Sequence, residues 1–115
     1  MRRLAVAASL LCISFAIRAD RPFVATSQRS FAALMEEATS RMHQGMHRAK
    51  RTGRPDHDFV AQMIPHHQGA IDMAEVLLVH GKDPALRRLA QAIITEQKNE
   101  IQLMQHWLEE HGEKP

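Results

Sequence analysis

Residues 59–73, Phe-Val-Ala-Gln-Met-Ile-Pro-His-His-Gln-Gly-Ala-Ile-Asp-Met, place two adjacent histidines after a proline and between two methionines. Imidazole and thioether are the neutral side chains that bind soft and borderline transition metals, which points to copper first. At about 100° per residue, Met63 and His67 fall within about 40° of each other, and His66 and Met73 within about 20°. Four donors, Met63, His66, His67 and Met73, are therefore expected on one broad inner face of a helix. Methionines at helical spacing are often plain core filler, and a single core histidine is often a packing residue. Two histidines between two methionines favour metal binding over that reading.

A second cluster, Met42-His43-Gln44-Gly45-Met46-His47, repeats Met42/Met46 and His43/His47 at i, i+4. His43, Met46 and His47 are candidate ligands. The alternative has the methionines in the core and the histidines in water. Further along, Gln97 and Glu100 interrupt an apolar stripe close to Met104. A buried carboxylate needs a partner, and carboxylates commonly orient metal-binding imidazoles, so Glu100 and Gln97 are expected to support His66 or His67 from behind. A stripe edge where Glu100 reaches water is the plainer alternative. His57, His80, His106 and His111 are expected to be mainly solvated.

Three helical segments must position these groups. Phe31, Leu34, Met35, Ala38, Met42, Met46 and Ala49 recur at three- and four-residue steps after Thr26-Ser27, which predicts a first helix over about residues 27–50. A second starts at Asp56 or His57 with the stripe Phe59, Met63, His66/His67, Ala70, Met73/Ala74 and Leu77, contains Pro65 as an expected kink, and stops at Gly81. Asp83-Pro84 is an N-cap followed by proline at the first helical position, opening a third helix that ends near His111-Gly112. The turn at 81–83 forces the second and third helices into an antiparallel hairpin. The fold class is all-α, an up-down bundle of three main helices that a homodimer would complete.

The chain begins with Met1, Arg2, Arg3 and an apolar run from Leu4 to Ile17, too short to span a bilayer. Residues 1–19 read as a signal peptide, 20–26 as an N-terminal extension and 27–112 as the metal-binding domain. The expected location is periplasmic or secreted, with no stable membrane insertion after cleavage. Removing 1–19 deletes three arginines, which leaves 12 basic against 13 acidic residues from 15 and 13, so no nucleic-acid footprint is expected. Cleavage also removes Cys12, the only cysteine, leaving His, Met, carboxylate and backbone as donors.

No Glu has a His three residues later, as a helical di-iron site requires, and His-Glu-x-x-His is absent. No catalytic residues are assigned. The run Asp58 to Ala74, with Leu89-Ala90, Ile93-Ile94, Gln97-Lys98-Asn99-Glu100-Ile101 and Met104 through Trp107-Leu108, closely resembles the signature of a bacterial family long catalogued as a domain of unknown function. That resemblance implies a ferritin-like fold. Its better-understood, CopM-type members look like periplasmic copper-binding proteins using Met and His, which supports Met63, His66, His67, Met73 and Met104 as ligands, and His43, Met46 and His47 less firmly. The expected function is extracytoplasmic buffering, delivery or tolerance of Cu(I), and of Cu(II) as well. The rival readings are a metal-free helical interaction module and a metal-dependent enzyme.

Overall fold

The structure, a computed structural model, describes residues 21–112. The signal-peptide reading and Cys12 lie outside the described residues. Three helices follow in order, α1 Phe31–Arg48, α2 Pro55–His80 and α3 Pro84–His111, giving an all-α, up-down arrangement.

Local chemistry sets the helix ends. α1 starts four residues later than the Thr26-Ser27 reading, because Ser30 is the residue that caps it, accepting from the Ala33 N–H at 3.2 Å. Thr26 instead closes a small turn by accepting from the Gln28 N–H. α2 has proline at its first position and Asp56 and Asp58 in its first turn, where carboxylates favour the positive end of the helix. Asp58 also gathers the loop before it, accepting from the N–H groups of Thr52 at 2.8 Å and Gly53 at 3.0 Å. Gly53 has φ +81°, a left-handed conformation that glycine adopts without strain. Asp83 caps α3 through the Leu86 N–H at 2.8 Å, as its place before Pro84 predicts.

The helix stays unbroken through Pro65. The ring lies close against α1, since a Cβ on Gly45 would lie 2.7 Å from Pro65 Cβ. A Cβ on Gly69 would lie 2.6 Å from Met42 Cγ, so two glycines let α1 press against this flank of α2. The α2–α3 hairpin is closed by Arg87, whose Nη1 donates to the carbonyls of Leu78 at 2.6 Å and Gly81 at 2.9 Å. At the other end the Arg54 guanidinium donates to the His111 carbonyl at 2.9 Å.

Both α1 and α3 pack on α2, and no Cα of α1 comes within 8 Å of one in α3. The result is a single flat layer with α2 in the middle. Among the described residues its buried side chains are few: Leu34, Ala38, Val60, Ile71, Ala74, Val76 and Ala90, with Asp72. This corrects the expected stripe of α2. Buried positions lie on its two flanks, whereas Phe59, at the head of the expected inner face, is 64% exposed and His66 is exposed. The reason is geometric: α1 meets Pro65 and Gly69, α3 meets His67, and these flanks lie roughly opposite one another, about 160–200° apart at 100° per residue. The face between them is only partly covered, with Phe59 and His66 exposed and Met63, Ala70, Met73 and Leu77 half-buried.

Candidate metal centre

His67 is the best-anchored histidine of the signature. Its Nδ1–H donates to the Met63 carbonyl one turn earlier at 2.8 Å, and its Nε2 meets Glu100 Oε2 of α3 at 2.5 Å. A carbonyl can only accept, so Nδ1 carries a proton and Nε2 is the ring nitrogen that faces the Glu100 carboxyl group. His67 is largely buried, its side chain 16% exposed, while that of Glu100 is 55% exposed. The pair thus sits at the lip of the α2–α3 seam, reachable from solvent.

The sequence reading placed Glu100 behind a ligating imidazole. In the structure, the Met63 carbonyl holds His67 from behind and Glu100 faces Nε2, the nitrogen left for a ligand. Glu100 therefore stands beside the position a metal would take. Gln97, half-buried, lies almost one turn earlier on α3.

The same pair fixes the level of two thioethers. Because α2 and α3 run antiparallel, Met63, four residues before His67, and Met104, four after Glu100, keep the same level about 6 Å away along the axes. Both are half-buried. Imidazole, carboxylate and two thioethers thus form two facing i, i+4 pairs across one seam.

The other candidates divide differently. His66 is exposed, with its ring centroid 6.0 Å from that of His67. Met73 is half-buried on the partly covered face with His66. On α1, Met42 packs against Gly69, Met46 is half-buried, and His43 and His47 are exposed. Rows of imidazole and thioether on α1 thus point different ways, since neighbours such as Met42 and His43 are about 100° apart. Among the described residues, no three His, Cys, Asp or Glu side chains gather into one group.

Two histidines expected in solvent are held by the fold. His57 Nδ1 lies 3.1 Å from Asp58 and 3.3 Å from the Thr52 hydroxyl, inside the loop that Asp58 organises. His80 turns inward edge-on to Phe31, ring centroids 6.2 Å apart, and its Nε2 is buried without a hydrogen-bond partner among the described residues. His106 is exposed, and His111 stacks on Trp107 with centroids 4.6 Å apart.

The opposite side of the layer carries charge. A cleft of about 880 Å³ there is lined by Glu37, Arg41, Gln68, Asp72, Glu75 and Lys98, among others. Asp72 was missed as a special residue because its position in the α2 period gave no warning. Burial pushes its carboxyl above the ordinary carboxylate value, only partly opposed by the Gln68 amide donating at 2.9 Å. Asp58 moves the other way, held well below the ordinary value by the Thr52 backbone N–H and then by His57.

A family model described as "Domain of unknown function (DUF305)" matches residues 56–115, which takes in α2 from Asp56 onward and all of α3. The chain belongs to the DUF305 family. The match covers both halves of the His67–Glu100 pair and both level thioethers, whereas α1 lies outside it. Among relatives, the chain is similar to the uncharacterized protein L153 of Acanthamoeba polyphaga mimivirus, 42% identical over 55 residues. That stretch is 48% of this chain and 36% of the relative, so the match spans little more than a third of the relative's length. No helix among the described residues is long and apolar enough to cross a membrane.

Proposed function

We propose that this chain binds Cu(I), and Cu(II) as well, for extracytoplasmic copper buffering, delivery or tolerance, in the periplasm or as a secreted protein. The observation that carries the reading is the His67–Glu100 contact at 2.5 Å with Met63 and Met104 at one level beside it. Thioethers favour the reduced ion, imidazole accepts either state and carboxylate suits the oxidised one, so this donor set fits copper in both.

Each residue has a distinct task. The Met63 carbonyl holds the His67 ring by Nδ1, which fixes the direction of Nε2. Glu100 lies against that nitrogen, so a cation held by Nε2 would have the carboxylate beside it. Met63 and Met104 supply sulfur from the half-buried seam. Bound copper would add a positive charge that Glu100, half-exposed, neutralises without being buried unpaired.

A ferritin-like architecture with a homodimer completing the bundle belongs to the same reading, since one chain supplies three helices in a flat layer. The exposed Phe59 favours a rival, a metal-free interaction module. Metal analysis of protein isolated from the exported compartment separates them. Copper copurifying with wild type and lost from the Met63→Ala/His67→Ala variant supports binding; metal-free wild type from copper-replete cells supports the module.

A further inference from the structure

The partly covered face of α2, between the flanks taken by α1 and α3, has a regular spacing. Phe59, Met63, His66, Ala70, Met73 and Leu77 follow one another at steps of four, three, four, three and four residues, the alternation of a seam on which a second helix lies knobs into holes. In a helix buried by its own chain this stripe would be filled. Here α1 and α3 take the two flanks, and the seam runs along the open side of the layer. On α3, Leu86 and Leu89 lie within about 40° of Glu100 around the helix, and they are 49% and 54% exposed. Phe59 near one end of this side of the layer and Leu86 and Leu89 near the other thus leave apolar side chains on show.

The order of side chains selects the occupant. The spacing reads the same in both directions about residue 68, and so do the types: large apolar Phe59 and Leu77 at the ends, Met63 and Met73 inside them, and His66 and Ala70 at the middle. A parallel copy would stack Phe59 on Phe59 and His66 on His66. An antiparallel copy sets methionine on methionine and each imidazole against a small alanine, and it opposes the two helix dipoles. We propose that a second copy of this chain docks antiparallel along this seam, bringing Met63 of each copy level with Met73 of the other and both His66 imidazoles to the centre of the interface. The two His66 residues are then offset by about 6 Å along the axis, four residues at 1.5 Å each. His66 and Met73, which stand outside the His67–Glu100 contact of one chain, become part of a Met/His set drawn from two chains. That last step rests on the copper reading; the docking does not.

Thiol crosslinking of the metal-free full chain carrying Cys12→Ser tests the register. A chain with Met63→Cys is mixed with a chain with Met73→Cys and treated with a short bis-maleimide. The expected result is a crosslinked dimer in the mixture and little in either chain alone, because like positions are about 15 Å apart along the axis. No crosslink in the mixture, or equal crosslinking of single variants, overturns the proposal. Sedimentation gives a second reading: Ala70→Arg is expected to weaken self-association on the order of a hundredfold by facing like charges, with helical content retained, while Gln102→Arg leaves it unchanged. Ala70→Arg that stays helical and dimeric overturns the seam. If the crosslinks form as expected but the protein takes up no Cu(I), the seam stands and the copper reading falls; Cu(I) bound by a chain that neither crosslinks nor dimerises is the reverse.

Discussion

Replacing Gly69 by alanine sets two effects against each other, and the structure decides between them. In an exposed helix interior the change would stabilise by about 1 kcal/mol, because glycine loses more backbone freedom on folding. Here the new methyl would lie 2.6 Å from Met42 Cγ and 2.7 Å from both Met42 Cβ and Sδ. Rotating the Met42 side chain cannot clear its own Cβ, so α1 as a whole must back away from α2. Such overpacking costs about 1–3 kcal/mol. The net expectation is a loss of about 1 kcal/mol, a fall in melting temperature of about 4–8 °C for a domain of this size. Thermal unfolding followed by far-ultraviolet circular dichroism reads it directly. The same experiment on Met42→Gly/Gly69→Ala should show strong non-additivity, since Met42→Gly removes the Cβ, Cγ and Sδ that the new methyl would meet. A Gly69→Ala protein as stable as wild type or more so would refute the close approach of α1 and α2, and with it the flat layer that leaves the α2 seam only partly covered.

Other perturbations have defined outcomes. A double-mutant cycle of His67→Ala and Glu100→Ala in urea should give a coupling of about 0.5–1 kcal/mol, a charge-assisted bond discounted because Glu100 is half-exposed; zero coupling would mean that the contact does not form in solution. Asp72, whose folded carboxyl is pushed above its unfolded value of 3.8 by burial, makes stability fall as pH rises from about that value through the folded one. The difference in urea midpoint between Asp72→Asn and wild type should therefore grow in favour of the variant across that window and then level off, and a flat difference would contradict the assignment. Asp58 has the opposite sign: its contribution is present above the ordinary carboxylate range and lost as pH falls below it, so Asp58→Ala should lower the melting temperature at neutral pH and matter progressively less in acid.

The elements were legible where punctuation is local. Asp83-Pro84 and Gly81 mark their helix ends by side-chain and backbone chemistry alone, whereas α1 began later than expected because Thr26, Ser27 and Ser30 are all credible caps and only Ser30 has its hydroxyl on the right N–H. Which face of α2 is buried was not legible. The apolar stripe through Phe59, Met63, Ala70 and Leu77 has the period of a core face, but Gly45 and Gly69 draw α1 to one flank, and the Ala90 side of α3 takes the other. Those glycines were the available signal. The division between His66 and His67 follows from the same packing, since a turn of about 100° per residue sends one ring toward α3 and leaves the other in the open. A partner for His67 at Glu100 was foreseeable from an acid interrupting an apolar stripe; the nitrogen it would meet depended on the helix carbonyl of Met63.

The central claim is that these imidazoles and thioethers hold copper. Its most direct test is an anaerobic titration of the purified protein with Cu(I) against a competing chelator, beside a His66→Ala/His67→Ala variant of unchanged helical content. The account predicts saturable uptake by the wild type and a weakening on the order of a hundredfold in the variant, about 2.7 kcal/mol of binding free energy. A wild-type stoichiometry of zero, or equal affinity in the two proteins, would contradict it.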